Sequence, residues 1–335
     1  MERSTLSKTF SKSRPLSLPA RERPKDLVLS KKTYSKKGTS KKISGNYKRT
    51  SYKKKIYAQK RSSKRFSGKA YKAAIVMNAN TGEVIFKDNP RERLLPASLT
   101  KMMVTLVAMD KVRQGTLHLN DKVTISEDAS GIEGSRINLR PGEVLTLEEL
   151  LEAVLIRSAN DAAVAVAEYV AGSQENFVRL MNAYAQRLGM KDTLFVNVHG
   201  LPSENGYDNV STAYDMAILA RELIKYPKVL QWSSKSAVKI RNGRYRITST
   251  NKLLKSFRGL DGLKTGYYRK AGFNLAATAK RNDLRLIAVT LGSPTSKARF
   301  NATRTLLDAA FNYYQKKSIE SRKSLHKVKL STSLK

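Results

Sequence analysis

The 335-residue chain contains no cysteine and only three histidines, His118, His199 and His326. Without cysteine there can be no disulfide framework, no thiolate nucleophile and no thiolate metal site. The histidines form no His-Glu-x-x-His pattern, so the usual zinc-hydrolase signature is missing. No metal and no cofactor is therefore expected. Gly-x-Ser-x-Gly is absent as well, which removes the serine hydrolases built on a strand-to-helix elbow. No segment approaches the roughly 20 apolar residues that a membrane-spanning helix needs. Acidic residues are also scarce, 27 against 64 Lys and Arg, for a net charge of +37.

That charge is unevenly spread. Residues 1–68 hold 22 Lys/Arg and 3 Asp/Glu, and residues 316–335 hold 7 and 1. Neither end shows apolar periodicity, so neither can bury enough surface to offset the entropy of ordering. Both are expected to be disordered basic tails around a folded domain at 69–315. In the N-terminal tail Tyr34, Tyr47, Tyr52, Tyr57 and Phe66 interleave with lysines. That pattern suits an anionic envelope polymer, a membrane surface or nucleic acid, and equally a solvated linker. The longest aliphatic run there is Leu27-Val28-Leu29, so no secretory h-region is legible.

Three short motifs follow in order: Ser98-Leu99-Thr100-Lys101, Ser158-Ala159-Asn160 and Lys264-Thr265-Gly266. Each is weak alone. Ser-x-x-Lys recurs at Ser51, Ser236, Ser249 and Ser324, and Ser-x-Asn at Ser44, Ser203 and Ser249. Context separates them. After Ser98, apolar Leu99, Met102, Met103, Leu106 and Val107 recur with the helical period, so Ser98 is expected at a helix N-terminus with Lys101 on the same face. Amides at a helix start favour negative charge, and a lysine in a dry pocket loses its proton readily enough to act as a base. Upstream of Ser158, Thr146-x-x-Glu149 is a capping box opening a helix, and Ser158 to Asp161 interrupts two apolar helical stretches. Lys264-Thr265-Gly266 lies beside an expected hairpin of two strands, residues 273–279 and 284–291. The structural alternatives are a capping serine with a snorkelling lysine, an interhelical turn, and an edge strand carrying a solubilising lysine.

Residues 71–314 resemble the D-alanyl-D-alanine carboxypeptidases among the low-molecular-mass penicillin-binding proteins, of the serine peptidase S11 kind. Beyond the trio, Asn197-Val198-His199-Gly200-Leu201, Ser211-Thr212-Ala213-Tyr214-Asp215 and Ala271-Gly272-Phe273-Asn274 carry the likeness. The resemblance implies that Ser98 is the nucleophile of an acyl-enzyme and Lys101 its base. Ser158 would relay a proton to the leaving D-alanine and Asn160 bind the substrate amide. Lys264, Thr265, Gly266 and Arg299 would line the pocket for the terminal carboxylate, and the amides of Ser98 and Tyr267 would form the oxyanion hole. It further implies peptidoglycan stem peptides as substrates, β-lactams as covalent inhibitors, and a place in the periplasm or cell envelope. Tyr268 stands where the family often has threonine, and Pro202 where it often has aspartate.

Two alternatives stay open. One is a D-alanyl endopeptidase that cuts peptidoglycan cross-links with the same catalytic set. The other is a catalytically silent binder of cell wall or another polyanion, acting through its basic tail. A class A β-lactamase would need Glu-x-x-x-Asn between the second and third motifs. Glu204 has Asn205 beside it instead.

The expected fold class is α+β. An early hairpin turns at Ala79-Asn80-Thr81-Gly82, a helix-rich block covers residues 98–226, strands return over 244–291, and an amphipathic helix closes at 296–314. One antiparallel sheet built from both ends of the domain follows. The resemblance implies a β-lactamase/transpeptidase-like arrangement, with helices flanking that sheet, a helical subdomain, and the site between sheet and helices.

Overall fold

The computed structural model describes residues 70–202 and 206–332, with side chains to residue 317. The N-terminal segment 1–68, and Glu204 with Asn205, lie outside the described residues.

The chain enters through a hairpin, β1 (Ala73–Asn78) and β2 (Val84–Asp88), whose turn passes through Gly82 at a φ of 79°. A short 3-10 turn, Ala97–Thr100, leads directly into α1 (Lys101–Arg113). Then come β3 (Lys122–Thr124), α2 (Glu127–Gly131), β4 (Val144–Thr146) and α3 (Leu147–Glu152). A single π turn, Ala153–Arg157, separates α3 from α4 (Asn160–Ala171). Helices α5 (Gln174–Arg187), α6 (Ala213–Leu223) and α7 (Pro227–Ser233) complete the helical block. The return strands are β5 (Ala237–Ile240), β6 (Tyr245–Thr248), β7 (Leu260–Tyr268), β8 (Gly272–Arg281) and β9 (Leu284–Ser293), and α8 (Ser296–Thr332) closes the fold.

Helix starts are set by local chemistry. Ser126, Thr146, Ser173 and Thr212 accept from backbone amides at the starts of α2, α3, α5 and α6. At Thr146 the capping box is reciprocal, with Glu149 reaching back to the Thr146 amide at 3.0 Å.

Both ends of the domain build one antiparallel sheet in the order β2-β1-β9-β8-β7. Its central strands are buried on both faces, and the alternation of side chains sorts them into two cores. Ile75, Met77, Ala276, Ile287 and Val289 join the larger core with the helical block. Val76, Leu275, Ala277, Leu286 and Ala288 join a smaller core with Phe300, Leu307 and Phe311 of α8. The sheet is thus a middle layer. Among the described residues no further strand pairs with its β7 edge, and the 3-10 turn before α1 lies against β7.

Two expectations need correction. The helical block also contains the ribbon β3–β4, whose three-residue strands are too short to leave a period. The segment from residue 316, expected to be a disordered tail, continues α8 as helical backbone through Thr332. It contains no proline or glycine to stop the helix and is rich in lysine, which tolerates helix well.

Candidate active site

The three motifs come from distant points of the chain and meet where the start of α1, the break before α4 and the edge strand β7 converge. Ser98 sits inside the 3-10 turn, and Lys101 is the first residue of α1. Lys101 is fully buried. Its Nζ donates to Ser98 Oγ at 3.0 Å, to Asn160 Oδ1 at 2.6 Å and to the His199 carbonyl at 2.7 Å. Burial pulls its pKa down to about 7, against the opposing pull of the Asp161 carboxylate. An amine that is half neutral near pH 7 and within hydrogen-bond reach of a hydroxyl can take that hydroxyl's proton.

The second motif is shaped by the π turn. Ser158 ends it at a φ of 66°, a left-handed conformation that costs a residue with a Cβ about 1–2 kcal/mol. It is held there by two backbone hydrogen bonds, Ala159 N donating to Ala153 O at 3.1 Å and Asn160 N to Ser135 O at 2.7 Å. Ser158 is 6% exposed, and its hydroxyl has no hydrogen bond among the described residues. Asn160 spans the gap between Lys101 and the opposite loop, its Nδ2 donating to Glu133 O at 2.5 Å. Gly134 permits this approach, since a Cβ there would lie 2.6 Å from Asn160 Nδ2. The buried Asp161 carboxylate then fixes the same loop by accepting from the amides of Ile137 and Leu139.

The third motif forms the facing wall. Lys264 is fully buried, with a single protein acceptor, Thr265 O at 2.8 Å, and no carboxylate partner among the described residues. Burial, with the charges of Lys101 and Arg299, pushes its pKa well below that of a free lysine. Thr265 Oγ1 lies 2.6 Å from Thr250 Oγ1. Arg299, from the first turn of α8, reaches the carbonyls of Gly266 at 3.3 Å and Asn274 at 3.2 Å. It too lacks a carboxylate partner among the described residues, its Nε is buried without an acceptor, and burial lowers its pKa to about 10. Two buried basic groups thus stand on one wall with no carboxylate partner among the described residues, and an anion brought against them would supply one and favour their charged forms.

Gly266 lets strand and nucleophile meet. A Cβ at that position would lie 2.8 Å from Pro96 O and 3.1 Å from Ser98 N, so no side chain fits between β7 and the turn. The backbone of Ser98 and the residue after Gly266, Tyr267, are therefore neighbours. On the other flank Gly200, at a φ of 82°, presses against Ala97, where a Cβ would fall 2.1 Å from Ala97 O. The loop carrying it is braced by Asn209, which donates to Thr100 Oγ1 at 2.9 Å and accepts from the amides of Val196 and Asn197.

Hydrogen bonds thus join Ser98, Lys101 and Asn160 in one candidate site. Gly266 of the strand that carries Lys264, Thr265 and Tyr267 packs against the turn that carries Ser98. Lys264 feels the charges of Lys101 and Arg299, and Ser158 lies at the break just before Asn160. The histidine of the Asn197–Leu201 motif enters it through its backbone. Its ring accepts from Leu201 N at 3.1 Å, and burial, with the Lys101 charge, lowers its pKa to about 4. Sequence reasoning did not find the carbonyls of His199, Glu133 and Ser135, the Asp161 clamp or Thr250. The first three are backbone atoms, which leave no mark in residue identity. Tyr268 donates its hydroxyl to Asp208.

Comparison with known proteins identifies the family. A family model described as D-alanyl-D-alanine carboxypeptidase, Peptidase_S11, matches residues 59–295. The chain is 41% identical over 263 residues to D-alanyl-D-alanine carboxypeptidase DacF of Bacillus subtilis, covering 77% of this chain and 67% of that protein. It is 38% identical over 251 residues to DacC of Escherichia coli, covering 73% and 62%. The chain therefore spans about two thirds of the length of these curated relatives. A D-alanyl-D-alanine endopeptidase of Pseudomonas aeruginosa is 32% identical over 225 residues, covering 65% and 70%. Among solved structures, penicillin-binding protein D2 of Listeria monocytogenes in its ampicillin-bound form superposes with a TM-score of 0.67 at 32% identity, covering 74% of this chain and all of that one.

Proposed function

The chain belongs to the D-alanyl-D-alanine carboxypeptidase family, peptidase S11, and from that premise we propose that it is a serine-type carboxypeptidase acting on peptidoglycan stem peptides. The observation that carries the reading is the fully buried Lys101, its Nζ 3.0 Å from Ser98 Oγ and its pKa lowered to about 7.

In this mechanism the substrate's terminal carboxylate enters against Lys264, Thr265 and Arg299 and supplies the missing counter-charge. Neutral Lys101 takes the Ser98 proton as Oγ attacks the carbonyl between the two D-alanines. The amides of Ser98 and Tyr267 receive the oxyanion. Preorganised donors of this kind are commonly worth about 3–4 kcal/mol of barrier each. The proton then passes by way of the Ser158 hydroxyl, which has no hydrogen bond among the described residues, to the leaving D-alanine amine. Asn160 holds Lys101 through Oδ1 and keeps its second Nδ2 hydrogen for a substrate carbonyl. Water hydrolyses the acyl-enzyme, with Lys101 again the base. Penicillins enter the same path and stop at the acyl-enzyme, which makes the protein penicillin-binding.

A hydrolase of this kind belongs to cell-wall biogenesis and the control of cell shape. Its substrate lies outside the cytoplasmic membrane, which supports the periplasm or cell envelope as its place. No helix among the described residues is long and apolar enough to cross a membrane. The basic segment 1–68 would add ionic attraction to an anionic envelope polymer or membrane surface. The endopeptidase reading draws support from the P. aeruginosa relative. Releasing D-alanine from a monomeric pentapeptide faster than cutting a cross-linked dimer favours the carboxypeptidase reading, and the reverse favours the endopeptidase. The decisive test of the site is mass spectrometry after incubation with labelled penicillin. An adduct on Ser98 supports the mechanism, and its absence from folded protein refutes it.

A further inference from the structure

A hollow of about 460 Å³ lies between the start of α8 and the 3-10 turn Lys252–Lys255. The chemistry proposed at Ser98 does not use it. Buried Leu253 and Phe300 line its apolar part. Lys252, Lys297 and Arg304 stand around it, and none of its lining residues is acidic. Arg304 ties the two sides together, donating to Ser256 O at 2.9 Å and to Ser256 Oγ at 2.8 Å. These bonds fix the guanidinium and occupy only part of its donors. Lys252 and Lys297 are exposed and form no ion pair among the described residues.

The surrounding sequence carries the same bias. Residues 249–260 contain Lys252, Lys255 and Arg258, residues 294–307 contain Lys297, Arg299 and Arg304, and neither stretch has an aspartate or glutamate. The acids that follow each stretch, Asp261 and Asp308, are paired with Arg285 and Arg281. In a 3-10 turn side chains three apart stand over one another, so Lys255 continues the positive face begun by Lys252. We propose that this hollow is a docking site for a polymer of alcohol phosphodiesters. One phosphate lies among Lys252, Lys297 and Arg304, the alcohol linker faces Ser296 and Asn301, and the chain continues toward Lys255. None of the large apolar side chains exposed among the described residues lines the hollow, so nothing there enters a bilayer. Nor does an exposed aromatic ring offer a nucleic-acid base a platform for stacking. Docking here holds the enzyme against the polymer and takes no part in the chemistry at Ser98.

The test is lysine footprinting on the full chain, with acetylation read by mass spectrometry with and without poly(glycerol phosphate) at low salt. Lys122 and Lys191, exposed and outside the hollow, report the general attraction of a basic chain to a polyanion. Relative to them, Lys252 and Lys297 should be acetylated about tenfold more slowly when the polymer is near ten times its dissociation constant. In the double variant Lys252→Gln, Lys297→Gln, the polymer concentration that half-protects Lys255 should rise about fivefold, the loss of two exposed ion pairs. A thermal melt should show that variant folded as the wild type is. Protection of Lys252 and Lys297 no greater than that of Lys122 and Lys191 overturns the site, as does a Lys255 midpoint unmoved in the variant. Equal or better protection by inorganic phosphate at matched phosphorus, by phosphatidylglycerol vesicles or by oligodeoxythymidylate overturns the polymer as its ligand.

Discussion

Lys101 and Lys264 are both fully buried lysines at one candidate site, and burial lowers the pKa of each. Their surroundings differ. Lys101 has three acceptors, one of them the serine hydroxyl, and lies near the buried Asp161 carboxylate. Lys264 has one backbone acceptor and two cationic neighbours in Lys101 and Arg299. The first has its surroundings completed, and the second has no carboxylate partner among the described residues. A satisfied lysine beside a hydroxyl is placed to exchange a proton. An unsatisfied one is placed to receive an anion. The same side chain thus serves as base or as binding group, according to which partners the fold supplies.

Substitutions should separate these two roles. The largest effect is expected from Ser98→Ala, which should abolish covalent labelling by penicillin, read as a complete loss of the mass adduct. Lys101→Ala should follow, lowering acylation by about 10²–10⁴-fold, the usual contribution of a general base. That loss should extend to any acyl donor, including a neutral ester lacking the terminal carboxylate. Lys264→Ala should reduce kcat/KM for a carboxylate-bearing peptide by about 10²-fold or more, as loss of one side of a buried charge pair does, yet spare the neutral ester. If the ester suffers equally in Lys264→Ala, the division of labour between the two lysines is wrong.

A smaller effect should appear in stability. In the folded protein Lys101 releases its proton near pH 7, whereas in the unfolded chain it keeps it to about pH 10.5. Between those values the unfolded state binds more protons, so stability rises with pH by about 1.4 kcal/mol per unit for this lysine. The contribution is complete above about 10.5 and is lost as pH falls to 7. Lys101→Met should flatten that slope in denaturant titrations at several pH values. The smallest effect concerns Ser158, whose left-handed backbone suits glycine. Ser158→Gly should raise stability by about 1 kcal/mol or less while slowing turnover, because the hydroxyl that passes the proton is gone. A thermal melt and a D-alanine release assay check both halves.

Much of this was legible in the sequence because it is written in side chains. The helical period after Ser98, the capping box at Thr146 and the apolar strands around Lys264 placed the three motifs on elements that the structure contains. The pairing of an early hairpin with late strands followed from their order alone. What stayed hidden depends on the backbone. The π turn that throws Ser158 into a left-handed conformation has no residue code. The His199 carbonyl that orients Lys101 is common to every residue type. Gly200 and Gly266 are visible as glycines, but not the fact that they press on Ala97 and Ser98 from two sides. The closing helix was legible to residue 314, and only the continuation of α8 beyond it was missed, for a different reason. A lysine-rich segment without an apolar stripe reads as unstructured unless a packed helix already runs into it.

The central claim is that neutral Lys101 is the base for Ser98, and the pH dependence of acylation tests it most directly. The rate of Ser98 labelling by penicillin should be measured by mass spectrometry from pH 5 to 9, for wild type and Lys101→Ala. The account predicts a wild-type rate that rises about tenfold per pH unit below 7 and levels off above it, and a variant that is slow throughout. A wild-type rate independent of pH, or near-normal labelling of Lys101→Ala, would contradict it.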